Sequence, residues 1–223
     1  MRTFKTEGIV IKRRNVGEAD RLITVFTKDH GKLCIKAKGI RRVPSRRSAH
    51  VELLNNSVLT VHGASRYPIL TEAAANETFS ELKEDLQKIG YAYHICELVD
   101  GLCPENQEHR NIYNLLKVTL GSLSRCYPDP LDYTRGKLRE ESSVISNGVR
   151  DLRGISPSPK AGRNDSWTDD IFSIVHDFEV ELLTLLGYWH RPTSVSQSID
   201  LHSFIENILE RKLKSKRVFV KLS

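Results

Sequence analysis

The sequence predicts an α+β protein, a five-stranded β-barrel followed by an all-α helical domain. Residues 7–42, EGIVIKRRNVGEADRLITVFTKDHGKLCIKAKGIRR, hold three β-type apolar runs parted by turn residues. Two more such runs follow before residue 78. From Thr78 onward the apolar spacing changes from about two residues to about 3.6, the change expected where strands give way to helices.

The elements follow in order. Ile9-Val10-Ile11 form the first strand run and Leu22 to Phe26 the second. Leu33, Ile35 and Ala37 alternate cleanly in the third. Asp29-His30-Gly31 between the second and third reads as a hairpin turn. Val43-Pro44-Ser45 breaks the pattern. Leu53 to His62 supplies a fourth strand, and Gly63-Ala64-Ser65-Arg66 a turn. Tyr67 to Ala75 supplies a fifth, with Pro68 near its start, where a missing N–H costs least. Five strands in about 75 residues suit a Greek-key barrel of the OB type, residues 1–77.

Residues 78–223 read as helical. Thr78 and Glu81 have capping-box spacing, and Leu82, Leu86, Ile89, Tyr93, Cys96 and Cys103 then trace one face of a helix ending near Pro104. Ile112, Leu115, Leu116, Thr119, Leu120 and Leu123 mark a second helix. Ile171, Ile174, Val175, Phe178, Leu182, Leu185 and Leu186 mark a third, which Gly187 ends. Leu201, Phe204, Ile205, Ile208, Leu209 and Leu213 mark a fourth, from about Asp200. Between the second and third helices, Pro128 to Ser166 is rich in Pro, Gly and Ser and keeps no period. That stretch is expected to be a disordered insertion, and a tolerated surface loop explains it with fewer assumptions than a partner-binding segment.

Charge is segregated along the chain. Residues 1–50 carry six Lys and eight Arg against four acids, a net of +10; the whole chain is +6, so the remainder is −4. Concentrated basicity of this kind is the footprint of a polyphosphate surface. Strand alternation places Lys32, Lys36 and Lys38, with Cys34, on the face opposite the apolar residues of the third run. Lys12, Arg13, Arg14, Arg21, Arg41, Arg42, Arg46 and Arg47 complete the candidate DNA-binding set. Arg211, Lys212, Lys214, Lys216 and Arg217 form a possible second basic cluster. Only Phe4 and Phe26 accompany the first set, so phosphate contacts rather than base stacking are expected to dominate.

Several functions lose support. No apolar run approaches the roughly 18 residues that span a bilayer, and MRTFKTEGIV lacks a signal-peptide core, so a cytoplasmic protein without a membrane role is expected. Cys34, Cys96, Cys103 and Cys126 make no CxxC, which argues against zinc or a redox pair. The eight histidines form no HxxxH or HExxH, and no GxxxxGK[ST] is present. No catalytic residue, metal or cofactor is therefore assigned, and an enzyme is not expected.

Gly8-Ile9-Val10-Ile11-Lys12, Gly17-Glu18-Ala19-Asp20-Arg21, Phe26-Thr27, Gly31-Lys32, Lys38-Gly39-Ile40-Arg41-Arg42 and Ser45-Arg46 resemble, in order and spacing, the N-terminal pattern of the bacterial RecO family of DNA repair proteins. Leu82-Lys83-Glu84-Asp85-Leu86 and Tyr91-Ala92-Tyr93 look like that family's first helix. Phe178-Glu179-Val180-Glu181-Leu182-Leu183 through Leu186-Gly187-Tyr188 looks like its FE-x-x-LL-x-x-LGY helix, and Arg211 to Arg217 like its basic end. The resemblance implies a recombination mediator that binds single- and double-stranded DNA and anneals complementary strands. It further implies partnership with RecR, with the acidic tail of single-strand binding protein and, indirectly, with the recombinase RecA, at the nucleoid. Many relatives carry a four-cysteine zinc subdomain after the LGY helix, whereas Trp189 to Ile199 contains no cysteine. A protein-interaction adaptor that receives the tail without annealing DNA is the alternative.

Overall fold

The computed structural model describes residues 3–43, 45–63, 67–125, 166–189 and 201–215, the side chains of 166–170 excepted. Five strands come first: β1 Thr3–Val16, β2 Asp20–Thr27, β3 Gly31–Ala37, β4 Asn56–His62 and β5 Ile69–Glu77. They close into a barrel in the order β1-β2-β3-β5-β4. All neighbours are antiparallel except β3 and β5, which meet in a single parallel bridge, Lys36 to Ile69. Helices α1 Ser80–Glu84, α2 Leu86–Leu102, α3 Arg110–Arg125, α4 Ser166–Leu185 and α5 Leu201–Leu209 follow. The predicted insertion, apart from Ser166 at the start of α4, lies outside the described residues.

The continuous apolar run of β1 has a structural reason. Val10 points into the barrel with Ile23, Val25, Leu33, Ile35, Ala37, Leu59, Val61 and Leu70. Ile9 and Ile11 point outward, into the core formed with the helices, where Phe26 and Leu54 join them. A strand covered on both faces loses the polar half of its alternation. An irregularity in β1–β2 pairing between Val10 and Lys12 adds one residue at Ile11 and turns the strand there. Removing the helices would expose Ile9, Ile11, Phe26 and Leu54 at about 1.5–3 kcal/mol each, comparable to the whole net stability of a small domain.

The glycine-and-acid motifs of the N-terminal region are the barrel's fasteners. Asp20 Oδ1 accepts from the Gly39 amide at 2.9 Å, and Arg41 N donates to Ala19 O at 3.0 Å, so the β1–β2 turn pins the loop after β3. The Gly39 amide, then Lys36, hold the Asp20 carboxyl below its usual range. Thr27 Oγ1 donates to Gly31 O at 2.8 Å and accepts from His30 N at 3.1 Å, closing the β2–β3 hairpin.

The helical part departs from expectation at its start. One helix from Thr78 was predicted; two are present, parted at Asp85. Thr78 and Glu81 do not form a capping box. Phe79 precedes α1 in a left-handed conformation with no side-chain cap, whereas Asp85 caps α2 by accepting from the amides of Gln87 and Lys88. Burial along α1 and α2 agrees with the predicted face only in part. Leu82, Cys96 and Cys103 are buried and Ile89 packs against the core, but Leu86 and Tyr93 are exposed, and Ala92, Ile95, Leu98, Val99 and Leu102 complete the buried side. The other three predicted helices are present, and Gly187, at φ +79°, ends α4 as Tyr188 N bonds back to Leu183 O. The fourth strand starts at Asn56 rather than Leu53, because Leu54 takes a positive φ of 69°.

A polar network ties barrel to helices. Tyr113 OH donates to Asn56 Oδ1 at 3.1 Å, Asn56 Nδ2 donates to Glu7 Oε1 at 2.8 Å, and Lys117 Nζ lies 3.3 Å from Glu7 and 3.4 Å from Glu77. Burial pushes the Glu7 carboxyl up, but the hydrogen bond from Asn56, the Tyr113 hydroxyl beside it and the Lys117 charge outweigh it, leaving it below its ordinary 4.5. A lowered folded value means Glu7 stabilises the fold above pH 4.5 and loses that contribution as pH falls through the folded value. Glu7→Gln is expected to be less stable than wild type at neutral pH, with the gap narrowing below pH 4.5 in urea melts run across pH.

Gly31 carries a second test. It sits at φ +64°, and a Cβ there would lie 1.7 Å from the Gln107 carbonyl oxygen. Gly31→Ala combines backbone strain with a backbone clash, each of order 1–3 kcal/mol. The expected outcome is a large fall in melting temperature.

Candidate nucleic-acid interface

The basic residues of the N-terminal region fall into three groups by what holds them. The first serves the fold. Lys32 is only 8 % exposed, and its ammonium donates to the Asp100 carbonyl at 2.5 Å, with the Asp100 carboxylate at 3.8 Å. It does not share an exposed face with Lys36 and Lys38, as alternation alone implied. The segment after α2 lies over that end of β3, with Asn106 N donating to Lys32 O at 3.0 Å and a bridge between Lys32 and Glu105. A lysine at a helix C-terminus answers a carbonyl that has no intrahelical partner and meets the negative end of the dipole.

The second group is exposed or half-buried but paired. Lys12 contacts the other Asp100 oxygen at 2.6 Å. Arg13 bonds Glu52, and Arg21 bonds Asn15 Oδ1 at 3.2 Å with Glu52 at 3.8 Å. Lys36 stands 3.1 Å from Asp20. Arg47 is fixed by carbonyls, donating to Lys38 O at 3.0 Å, Leu70 O at 2.7 Å and Thr71 O at 3.3 Å. Arg41 donates to Gly17 O at 3.3 Å.

The third group is exposed with no side-chain ion pair among the described residues: Lys5, Arg14, Lys28, Lys38, Arg42 and Arg46. Lys38, Arg42, Arg46 and Arg47 line one open concavity of about 620 Å³ with Asp20, Gly39 and Ser45. Four cations against one carboxylate that Lys36 already holds make it strongly electropositive, and its main-chain frame is fixed by Gly39 and Arg47. Phosphate oxygens are the group such a corner receives.

The second predicted cluster lies near the first. Arg211 and Lys214 line a groove of about 440 Å³ with Lys12, Arg13, Glu97 and Asp100, over apolar Ile11, Leu53, Tyr93 and Cys96. The amides of Lys214 and Ser215 donate to the Glu97 carboxylate at 3.0 and 2.9 Å, anchoring this segment on α2. Lys212 is exposed, and Lys216 and Arg217 lie outside the described residues. Tyr93, read from periodicity as core, stands in this groove at 42 % exposure. The Ile95, Val99, Leu102 spacing was the signal for the true buried face.

Phe26 is fully buried, and Phe4 packs on the barrel core with its ring 4.5 Å from that of His30, so neither offers an open stacking face. Trp189 meets Phe204 edge-on at 5.5 Å. Burial pushes the Cys96 and Cys103 thiols up to about 12, and both are free, as is Cys34. No helix among the described residues is long and apolar enough to cross a membrane.

A closed five-stranded barrel of OB type, joined to a helical bundle through a shared core and bearing a basic corner at its loops, is the class of protein that the fold and this surface define. Residues 1–79 match the family model for the recombination protein O N terminal, and residues 83–134 that for the recombination protein O C terminal. Together they take in more than half of the sequence, and the chain belongs to the recombination protein O family. It is 37% identical over 123 residues to the DNA repair protein RecO of Roseiflexus sp. (strain RS-1), covering 55% of this chain and 43% of that one. It is 36% identical over 135 residues to the DNA repair protein RecO of Acetivibrio thermocellus, covering 60% and 54%. The chain spans about half the length of the curated relatives it matches.

The three groups behave differently on substitution. Lys32→Ala leaves a helix-end carbonyl buried without its charged donor and is expected to cost about 1.5–3 kcal/mol. Lys38→Gln, on an exposed side chain, is expected to stay within about 0.5 kcal/mol of wild type. Urea unfolding of the two variants side by side checks the ranking.

Proposed function

We propose that this protein binds DNA through its phosphates and acts in recombinational repair by annealing complementary strands. The observation that supports this most is the electropositive corner of Lys38, Arg42, Arg46 and Arg47 on the barrel loops. Family membership adds to it, since the matched relatives are named DNA repair proteins. Phosphate contacts of this kind neutralise the backbone without reading bases, so little sequence preference is expected. With Arg211 and Lys214 on a second groove, two strands have separate places to lie, each screened from the other's charge. Neither step needs nucleotide hydrolysis. RecR and RecA are the partners this reading implies, through strand handover rather than through any one surface.

A second reading has its own support. The groove of Ile11, Leu53 and Tyr93, rimmed by Lys12, Arg13, Arg211 and Lys214, suits an acidic peptide with apolar anchors, such as the tail of single-strand binding protein. The protein is then an adaptor that receives the tail without annealing DNA.

One experiment separates them. Labelled single-stranded DNA and a labelled acidic peptide are titrated over a salt series with wild type and with Lys38→Gln/Arg42→Gln/Arg46→Gln. The DNA reading expects a steep salt dependence, whose slope the triple variant flattens by about 0.7 for each phosphate it no longer neutralises. It also expects fluorescence-detected annealing above the protein-free rate without ATP, reduced in the triple variant. Peptide binding unchanged by the variant, with DNA binding absent even at low salt, leaves the adaptor.

A further inference from the structure

Three residues from three different helices or their flanks converge away from the basic surface. His94 of α2, Glu179 of α4 and His202 of α5 bring their donor atoms within 4.8 Å of one another. His94 and Glu179 are 1 and 3 % exposed, and His202 is half-buried at 36 %. The His94 Nε2 to Glu179 Oε1 distance is 2.6 Å, and His202 Nδ1 stands 3.8 Å from the same oxygen.

His94 is held at both ring nitrogens. Nδ1 lies 2.7 Å from Ser215 Oγ, and Ser215 N donates to the Glu97 carboxylate at 2.9 Å, so the outer side of the ring is tied back to α2. The hydrogen bond between His94 and Glu179 joins two of the three groups, with His202 Nδ1 3.8 Å from the shared oxygen. A metal ion about 2.0–2.1 Å from each donor would join all three.

We propose that His94, Glu179 and His202 form a zinc site that ties α2, α4 and α5 together. Two imidazoles and a carboxylate are a donor set that Zn²⁺ takes. A ring N–H held by a fixed outer partner, as Ser215 holds His94, is the usual support of a metal-bound histidine. The half-buried His202 side leaves access for the ion and a water as fourth ligand. The ion's role is structural: it joins helices far apart in the chain, and through Ser215 it fixes the segment that carries Arg211 and Lys214. The site owes nothing to cysteine and does not depend on the DNA reading.

The full chain, stripped with chelator and dialysed, is titrated with ZnCl2 and followed by calorimetry and thermal melting. Saturable binding of one ion per chain, a melting temperature that rises with zinc, and the visible absorption of a four-coordinate site with Co²⁺ are expected. Ser215→Ala should weaken binding about 10–100-fold, and His202→Ala by at least about as much. Cys34→Ser should leave it unchanged. His202→Ala removes a half-buried ring, so its folding is checked by circular dichroism; Glu179→Gln, close to isosteric, repeats the test. Absence of saturable binding to wild type, or binding by folded His202→Ala or Glu179→Gln as tight as wild type, overturns the proposal and leaves a buried hydrogen bond between His94 and Glu179.

Discussion

The ammonium of Lys32 against the last turn of α2 governs how the two halves of this molecule meet. A buried lysine is costly unless its charge is answered, and here a helix-end carbonyl and the Asp100 carboxylate answer it together. Around that contact the chain leaves α2 and runs back over β3, where Gly31 has no side chain because the Gln107 main chain occupies the space. Lys12 takes the remaining Asp100 oxygen from β1, across the width of β2. The outward-facing Ile9, Ile11, Phe26 and Leu54 then lie under helices rather than water. Barrel orientation, α2 register and the interdomain groove all follow from this junction.

The same junction sorts the positive charge. A count of lysines and arginines overstates the free basic surface, because several of them satisfy carbonyls and carboxylates within the fold. Lys12, Lys32, Arg13, Arg21 and Lys36 are drawn to acids that the fold brings to them from other elements. Of the remaining cations, Lys38, Arg42 and Arg46 gather at the loop after β3, where Asp20 is already held by the Gly39 amide and by Lys36. Local net charge is set by which acids the fold brings near, and only the surplus reaches solvent.

Strand positions were legible in the sequence because each apolar run is bounded by glycine or polar turn residues, and Leu33, Ile35 and Ala37 of β3 are buried at every second place. The fold class followed from the switch of period at residue 78. The face of α2 was legible only in part, with Leu86 and Tyr93 misplaced. Its apolar residues surround much of the helix, since α2 packs against barrel, α3, α4 and α5, and a helix with several neighbours has no single stripe. The burial of Lys32 depends on a chain segment some seventy residues away, which alternation within one strand does not report. His94, Glu179 and His202 sit on three helices at wide separation, and spacing rules for metal motifs see only ligands that are close in sequence. The concave corner was partly legible, since Lys38, Arg42, Arg46 and Arg47 are near in sequence; that Arg47 would be bound to carbonyls was not.

Arg47 gives the barrel seam an unusual character. Strands β3 and β5 share only one bridge, and the guanidinium spans the gap beside it, reaching Lys38 O on one side and Leu70 O and Thr71 O on the other. A side chain here substitutes for rungs that main chain would otherwise supply. Its conformational freedom is given up when the protein folds, so an anion arriving at this corner meets an immobilised cation. Freezing a flexible side chain on association costs about 0.5–1.5 kcal/mol, and at Arg47 that cost belongs to folding and not to recognition. Closure of the barrel and preorganisation of its charge are therefore one event.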